Sequence, residues 1–314
     1  MIDAILGALL PVVVTLLLGF IAGWHKDFVG AQAAILNRMV MLYALPLALF
    51  AGMEGIDRDQ VLSQGPLASA ILIGMAGGYA IVFVVSYSLI RRDLMTASLR
   101  ALAIAGPAVP FVGVAVLGRL FGTASAIPIS IASLVMNLIQ VPATLMLLSA
   151  GMDQSKARAS TEKLSIGRQI LQALREPVVW APLVALLLVL LNIRFPALVG
   201  NSLMLLGRAT GGVALFASGL VLFSHRVAVS LAVTVSVVAR NVVIPGAIWG
   251  MMLTFGVAAD STREAVLTMA IPTSSLPVIL AVQYQTAEQE MASTLFFSTI
   301  FSILTMGGFI WLTA

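Results

Sequence analysis

The sequence predicts an all-α polytopic membrane protein: ten transmembrane helices in two inverted five-helix repeats, with broken, crossing helices 4 and 9. Three observations predict it. Of 314 residues, 60% are hydrophobic and only 10% are charged, where a soluble domain carries about 25% charged residues. Two apolar stretches are interrupted by prolines: Gly106-Pro107-Ala108-Val109-Pro110 within 96–120, and Pro272-Thr273-Ser274-Ser275-Leu276-Pro277 within 264–285. Finally, features recur at nearly one spacing. Ala48-Leu49-Phe50-Ala51 returns as Ala214-Leu215-Phe216-Ala217 after 166 residues, Pro107 and Pro272 lie 165 apart, and Pro110 and Pro277 lie 167 apart. Self-similarity at a fixed offset is the mark of an internal repeat.

A spanning helix needs about 20 apolar residues. Ten stretches qualify: 4–24, 33–53, 67–90, 96–120, 125–150, 178–195, 202–223, 227–255, 264–285 and 290–313. The first carries Asp3 and no basic leader, so it reads as a span and not a signal peptide. Trp24, Trp180 and Trp311 fall near span ends, where interface anchors sit. Gly74/Gly78 and Gly207/Gly211 have the spacing of closely packed helices. Pro46, Pro142 and Pro245, one per helix, read as kinks. The polar stretch 151–176 divides the chain five helices to five. The expected units are therefore a first repeat over 1–150, a linker over 151–177 and a second repeat over 178–314. The linker holds Lys156, Arg158, Lys163, Arg168 and Arg175 and belongs on the cytoplasmic side by the positive-inside rule. Lys26, Arg91, Arg92, Arg100 and Arg226 then fall on the same side, against Arg58, Arg119, Arg194, Arg208 and Arg263 outside. Both termini are placed outside. Five helices per half is odd, so the second half enters the membrane inverted.

The breaks carry the chemistry. A proline lacks an N–H and its ring collides with the preceding turn. Non-helical backbone at membrane depth survives only where its polar groups meet protein, water or a ligand. Interrupted helices in corresponding positions of two halves point to a transporter's binding site. The second half of a broken helix begins with free N–H groups and about half a positive charge, which suits a carboxylate. Thr273, Ser274 and Ser275 add hydroxyls to such a site, or cap the freed backbone. Arg240 lies at the centre of the eighth span, where arginine costs at least ~2.5–3.5 kcal/mol. Its planar fork suits a carboxylate; the alternatives are that it ties off the carbonyls of a broken helix or sits in a water-filled cytoplasmic vestibule. Asn241 beside it points about 100° away. Asn137 and Gln140 share a face of the fifth span, for interhelical hydrogen bonds or for lining a cavity. The candidate substrate-binding set is Gly106, Pro107, Ala108, Val109, Pro110, Asn137, Gln140, Arg240, Pro272, Thr273, Ser274, Ser275 and Pro277.

Other chemistries are excluded by what the sequence lacks. There is no cysteine. The acidic residues fall in loops or at expected helix ends, which speaks against a carboxylate proton relay. No phosphate loop, HExxH or GxSxG motif is present; His25 and His225 sit in loops. The expectation is no enzyme, no cofactor and no metal, with a proton or sodium coupling ion left open. The basic pI reflects loops, and no nucleic-acid partner is expected.

Pro46-Leu47-Ala48-Leu49-Phe50, the Gly106-Pro107…Pro110 break, Arg240-Asn241…Pro245 and Ala270-Ile271-Pro272…Pro277…Tyr284 together resemble the auxin efflux carrier family, in its bacterial malonate-transporter-like branch. The resemblance covers essentially the whole chain. It implies a scaffold of helices 1, 2, 6 and 7, a moving bundle of helices 3–5 and 8–10, and alternating access in a bacterial inner membrane. It also implies a small organic anion as substrate, malonate or a related dicarboxylate, with a homodimer through the scaffold helices. Many relatives carry an asparagine-glycine pattern at the helix 4 break, which this chain lacks; that speaks against an auxin-like aromatic substrate. A carrier of another weak organic acid, and a channel or receptor, are the alternatives.

Overall fold

The computed structural model describes residues 2–28, 30–54, 65–90, 93–159, 177–191, 196–225 and 227–314. They form helices, with no strand among the described residues. In chain order these are α1 (Ile2–Trp24), α2 (30–54), α3 (Gly65–Leu89), α4 (Leu94–Ala105), α5 (109–121), α6 (126–159) and α7 (Pro177–Leu190). They continue with α8 (197–225), α9 (Leu231–Thr254), α10 (Ala259–Ala270), α11 (Leu276–Gln283) and α12 (Glu288–Leu312). Five stretches are long and apolar enough to cross a membrane: Gly65–Leu89, Ile127–Met152, Leu198–Ser224, Leu231–Thr254 and Glu288–Leu312. Leucines such as Leu205, Leu231 and Leu304 lie exposed on the outside, an arrangement suited to lipid. The expected linker begins as the end of α6; its residues 160–176 lie outside the described residues, as do Arg58, Arg91, Arg92, Arg194 and Arg226.

Three single prolines share one local geometry. Pro46, Pro142 and Pro245 each stand just past a π turn, at Val40–Ala44, Met136–Gln140 and Ala239–Val243, with Leu45, Val141 and Ile244 between. A proline cannot bond the carbonyl four residues back and crowds it, so the turn before it widens. Such π turns are frequent at functional positions. Here they carry Gln140, Arg240 and Asn241. The proline pairs do more. α4 ends at Ala105 and α10 at Ala270, and helix resumes at Val109 and Leu276. The two leading halves, Leu94–Ala105 and Ala259–Ala270, are offset by 165 residues, as Pro107 and Pro272 are.

The helices pack in two sets. α1 lies along α8, while α2 packs against α7 and α8. In the other set α3 packs on α4, α4 on α6, α9 on α10, and α12 on both α9 and α10. Contacts between the sets run from α1 to α5 and α12, from α8 to α12, and from α2 to α11. The α1–α8 crossing is as close as backbones allow. A Cβ on Gly19 would stand 2.0 Å from the Phe216 carbonyl oxygen, and one on Gly219 would stand 2.1 Å from that of Leu16. Gly207 likewise faces the backbone of Ala48.

Gly219→Val should therefore force α1 and α8 apart, costing about 1–3 kcal/mol or more as an overpacked core does. Gly307→Val, at a position with nothing within 4 Å, should leave the melting temperature in detergent unchanged. Equal melting temperatures for the two variants would contradict the packing described.

Candidate functional site

The two breaks meet. Residues 106–108 and 272–274 run antiparallel, with Pro107 opposite Thr273. Ala108 N–H donates to the Pro272 carbonyl at 2.9 Å, and Ser274 N–H donates to the Gly106 carbonyl at 3.1 Å. This short ladder satisfies part of the backbone that the prolines release. Gly106 leaves α4 extended, and a Cβ there would stand 2.5 Å from the Leu102 carbonyl oxygen.

The remaining carbonyls are met by side chains from neighbouring helices. Arg240, fully buried in α9, donates through Nη1 to Ile104 at 2.9 Å and through Nε to Ile271 at 3.1 Å. Its Nη2 donates to both Met269 and Ile271. One guanidinium thus binds the last carbonyls of both leading halves, α4 and α10. The five fixed donors of arginine suit this task. Gln140 contributes Nε2 to Ala105 and to Met75, each at 2.9 Å. Asn241 takes a different target from Arg240, as its direction on the helix predicts. Its Nδ2 donates to the Ser298 carbonyl at 2.8 Å, and its Oδ1 accepts from Ser298 Oγ at 2.7 Å. Ser298 Oγ in turn accepts from Thr273 N–H at 3.1 Å. Arg240 and Asn241 therefore hold the second break from two directions.

A narrow cavity of about 20 Å³ opens beside the crossing. Its walls on one side are Ala108, Val112, Pro272, Thr273 and Ser275. These are the residues that lead into α5 and α11. Facing them are Val12 of α1 and Gly211 and Leu215 of α8, with Leu295 and Thr299 of α12 completing the lining. None of these side chains is charged. Thr273 Oγ1 is buried and unpartnered. The cavity therefore combines two helix N-terminal ends, a free hydroxyl and an apolar wall. Of the sequence candidates, Ala108, Pro272, Thr273 and Ser275 line it. Gly106, Pro107, Val109, Pro110, Ser274 and Pro277 belong to the crossing around it. Arg240 and Gln140 lie behind it on the carbonyls, and Asn137 is buried with Oδ1 unpartnered but outside the lining.

A family model described as "Membrane transport protein" matches residues 4–310. The chain belongs to this membrane transport protein family. It is the auxin efflux carrier family that the sequence motifs resemble. An uncharacterized transporter, YfdV, from Escherichia coli K12 is 29% identical over 309 residues, covering 97% of this chain and 96% of the relative. The same identity and coverage hold for the YfdV transporters of Escherichia coli O157:H7 and Shigella flexneri. For this membrane transport protein, the crossing sits where the two helix sets face each other.

Sequence reasoning missed two groups. Ser298 fixes the Thr273 amide, yet nothing in its sequence setting separates it from serines that merely bond their own helix, such as Ser218 to Ala214. Arg100 was read as a loop charge. It lies inside α4, buried, and forms a bidentate ion pair with Glu290 at the start of α12. It ties the leading half of the first break to the helix that carries Ser298.

Removing Arg240 would orphan three buried carbonyls. Arg240→Met should destabilise the protein on the order of 3 kcal/mol or more, at about 1–3 kcal/mol per unmet group. Ser298→Ala should cost less, since it frees one amide and one amide oxygen. Melting in detergent checks the order; an Arg240→Met protein as stable as the parent would contradict this bonding.

Proposed function

We propose that the protein is a secondary carrier of a small organic anion, most simply malonate or a related short dicarboxylate, working by alternating access. The observation that carries the reading is the cavity where the starts of α5 and α11 converge beside the free Thr273 hydroxyl. Helix N-termini bind carboxylates without a charged side chain. Arg240 is committed to carbonyls, so in this arrangement it acts as a positioning residue, and the helix ends with Thr273 and Ser275 contact the substrate.

In this reading the broken pairs α4/α5 and α10/α11 are each one span, which gives ten. The offset of 165 shared by the leading halves, and of 166 between the starts of α3 and α9, supports the inverted repeat. The set of α1, α2, α7 and α8 serves as scaffold and can pair with a second copy. The set carrying the crossing moves against it, with both termini outside a bacterial inner membrane. A second reading, a weak acid with an apolar body, is favoured by Val12, Val112, Leu215 and Leu295 around the same cavity.

Uptake into proteoliposomes tests the function. Labelled malonate should enter with saturation and show counterflow, and Thr273→Val should weaken binding by roughly tenfold, the loss of one hydrogen bond to a charged group. Flux that does not saturate would point to a channel, and binding without flux to a receptor. Faster uptake of apolar monocarboxylates would favour the second reading.

Orientation is checked separately, because the chain has no cysteine. In intact cells an impermeant thiol reagent should label Ala314→Cys and leave Ser160→Cys untouched. The reverse pattern would overturn the topology.

A further inference from the structure

The crossing holds one unbalanced charge. Among the buried charged residues, Arg100 is neutralised by Glu290, while Arg240 has carbonyls alone as partners. Those carbonyls are the C-terminal ends of α4 and α10, each worth about half a negative charge. Together they offset the guanidinium. What remains is the pair of N-terminal ends that face the cavity, each about half a positive charge. The sum presented to the cavity is close to a single positive charge. Thr273 Oγ1, buried and unpartnered in the lining, supplies a donor for the same oxygen atoms.

Among the described residues, no titratable side chain lines the cavity. α1 contributes Val12, α8 contributes Gly211 and Leu215, and α12 contributes Leu295 and Thr299. The two breaks contribute Ala108, Val112, Pro272, Thr273 and Ser275. Nothing in the lining can therefore take up a proton to adjust the site to a second negative charge.

Resting on the carrier reading above, we propose that the site accepts a single negative charge, so that a dicarboxylate is carried in its singly protonated form. A bound monoanion closes the charge balance of the crossing. A bound dianion leaves a net negative charge in a low-dielectric interior, which is costly. The proton travels on the substrate's second carboxyl group, and no side chain of the described lining relays it. Transport of a dicarboxylate then moves one negative charge together with one proton. It is pH-dependent even though the protein's own site does not titrate.

The experiment compares malonate with its half-amide, malonamate, which has one carboxyl group. Proteoliposome uptake is measured on either side of the pH at which malonate loses its second proton. The KM for total malonate should rise about tenfold per pH unit above that point, following the singly protonated fraction. The KM for malonamate should stay flat. Currents recorded with flux should give one elementary charge per malonate at every pH. A flat malonate KM through that range, or two charges per molecule, would overturn the inference while leaving the carrier reading intact. Failure of both compounds to enter or to drive counterflow would overturn the organic-anion reading, and this inference with it.

Discussion

Everything in this structure answers to the peptide groups that two proline pairs release in the middle of an apolar protein. Lipid offers them no hydrogen bond, so the protein supplies partners for many of them. The breaks bond to each other through Ala108 and Ser274. Arg240 closes the carbonyl ends, Gln140 takes Ala105, and Ser298 takes the Thr273 amide. The partner side chains come from α6, α9 and α12, so satisfying the crossing also fastens these helices together. The Arg100–Glu290 pair adds a further tie between α4 and α12.

The two kinds of helix end at the crossing are met differently. The carbonyl ends receive side chains. The amide ends of α5 and α11 turn instead toward a cavity that α1 and α8 close from the other side. A protein that met the amide ends with acidic side chains would be stable and inert. In the carrier reading proposed above, their partial positive charge beside an uncharged wall is what an anion would meet. The facing set is built differently: its α1–α8 crossing relies on Gly19 and Gly219 for direct backbone contact, with few polar ties. Buried Asn37 of α2 and Thr210 of α8 have side-chain atoms without partners there.

Much of this was legible because prolines and charges in an apolar chain have few readings. Two prolines per stretch marked both breaks, and their common offset paired them. Single prolines marked the bends, whose form, a π turn just before each, follows from the proline's clash with the preceding turn. Arg240 was visible as a mid-membrane charge with three open roles, and its bonds in space chose the carbonyl ends over a water-filled vestibule or a direct place in the lining. Ser298 was not legible, since its partner lies 25 residues away in sequence across the second break. Arg100 was misplaced because an ion pair across 190 residues turns a loop-like charge into a buried one. The apolar wall from Val12, Gly211 and Leu215 depends on which helices face the crossing, and hydropathy does not encode that.

The central claim is that the open amide ends at the crossing are the anion site. The most direct measurement is an anomalous-scattering map of the protein crystallised with bromomalonate. The account predicts a bromine peak within the cavity between Thr273 and Leu215, with carboxylate density against the starts of α5 and α11. A peak elsewhere in the protein, with this cavity empty at saturating ligand, would contradict it.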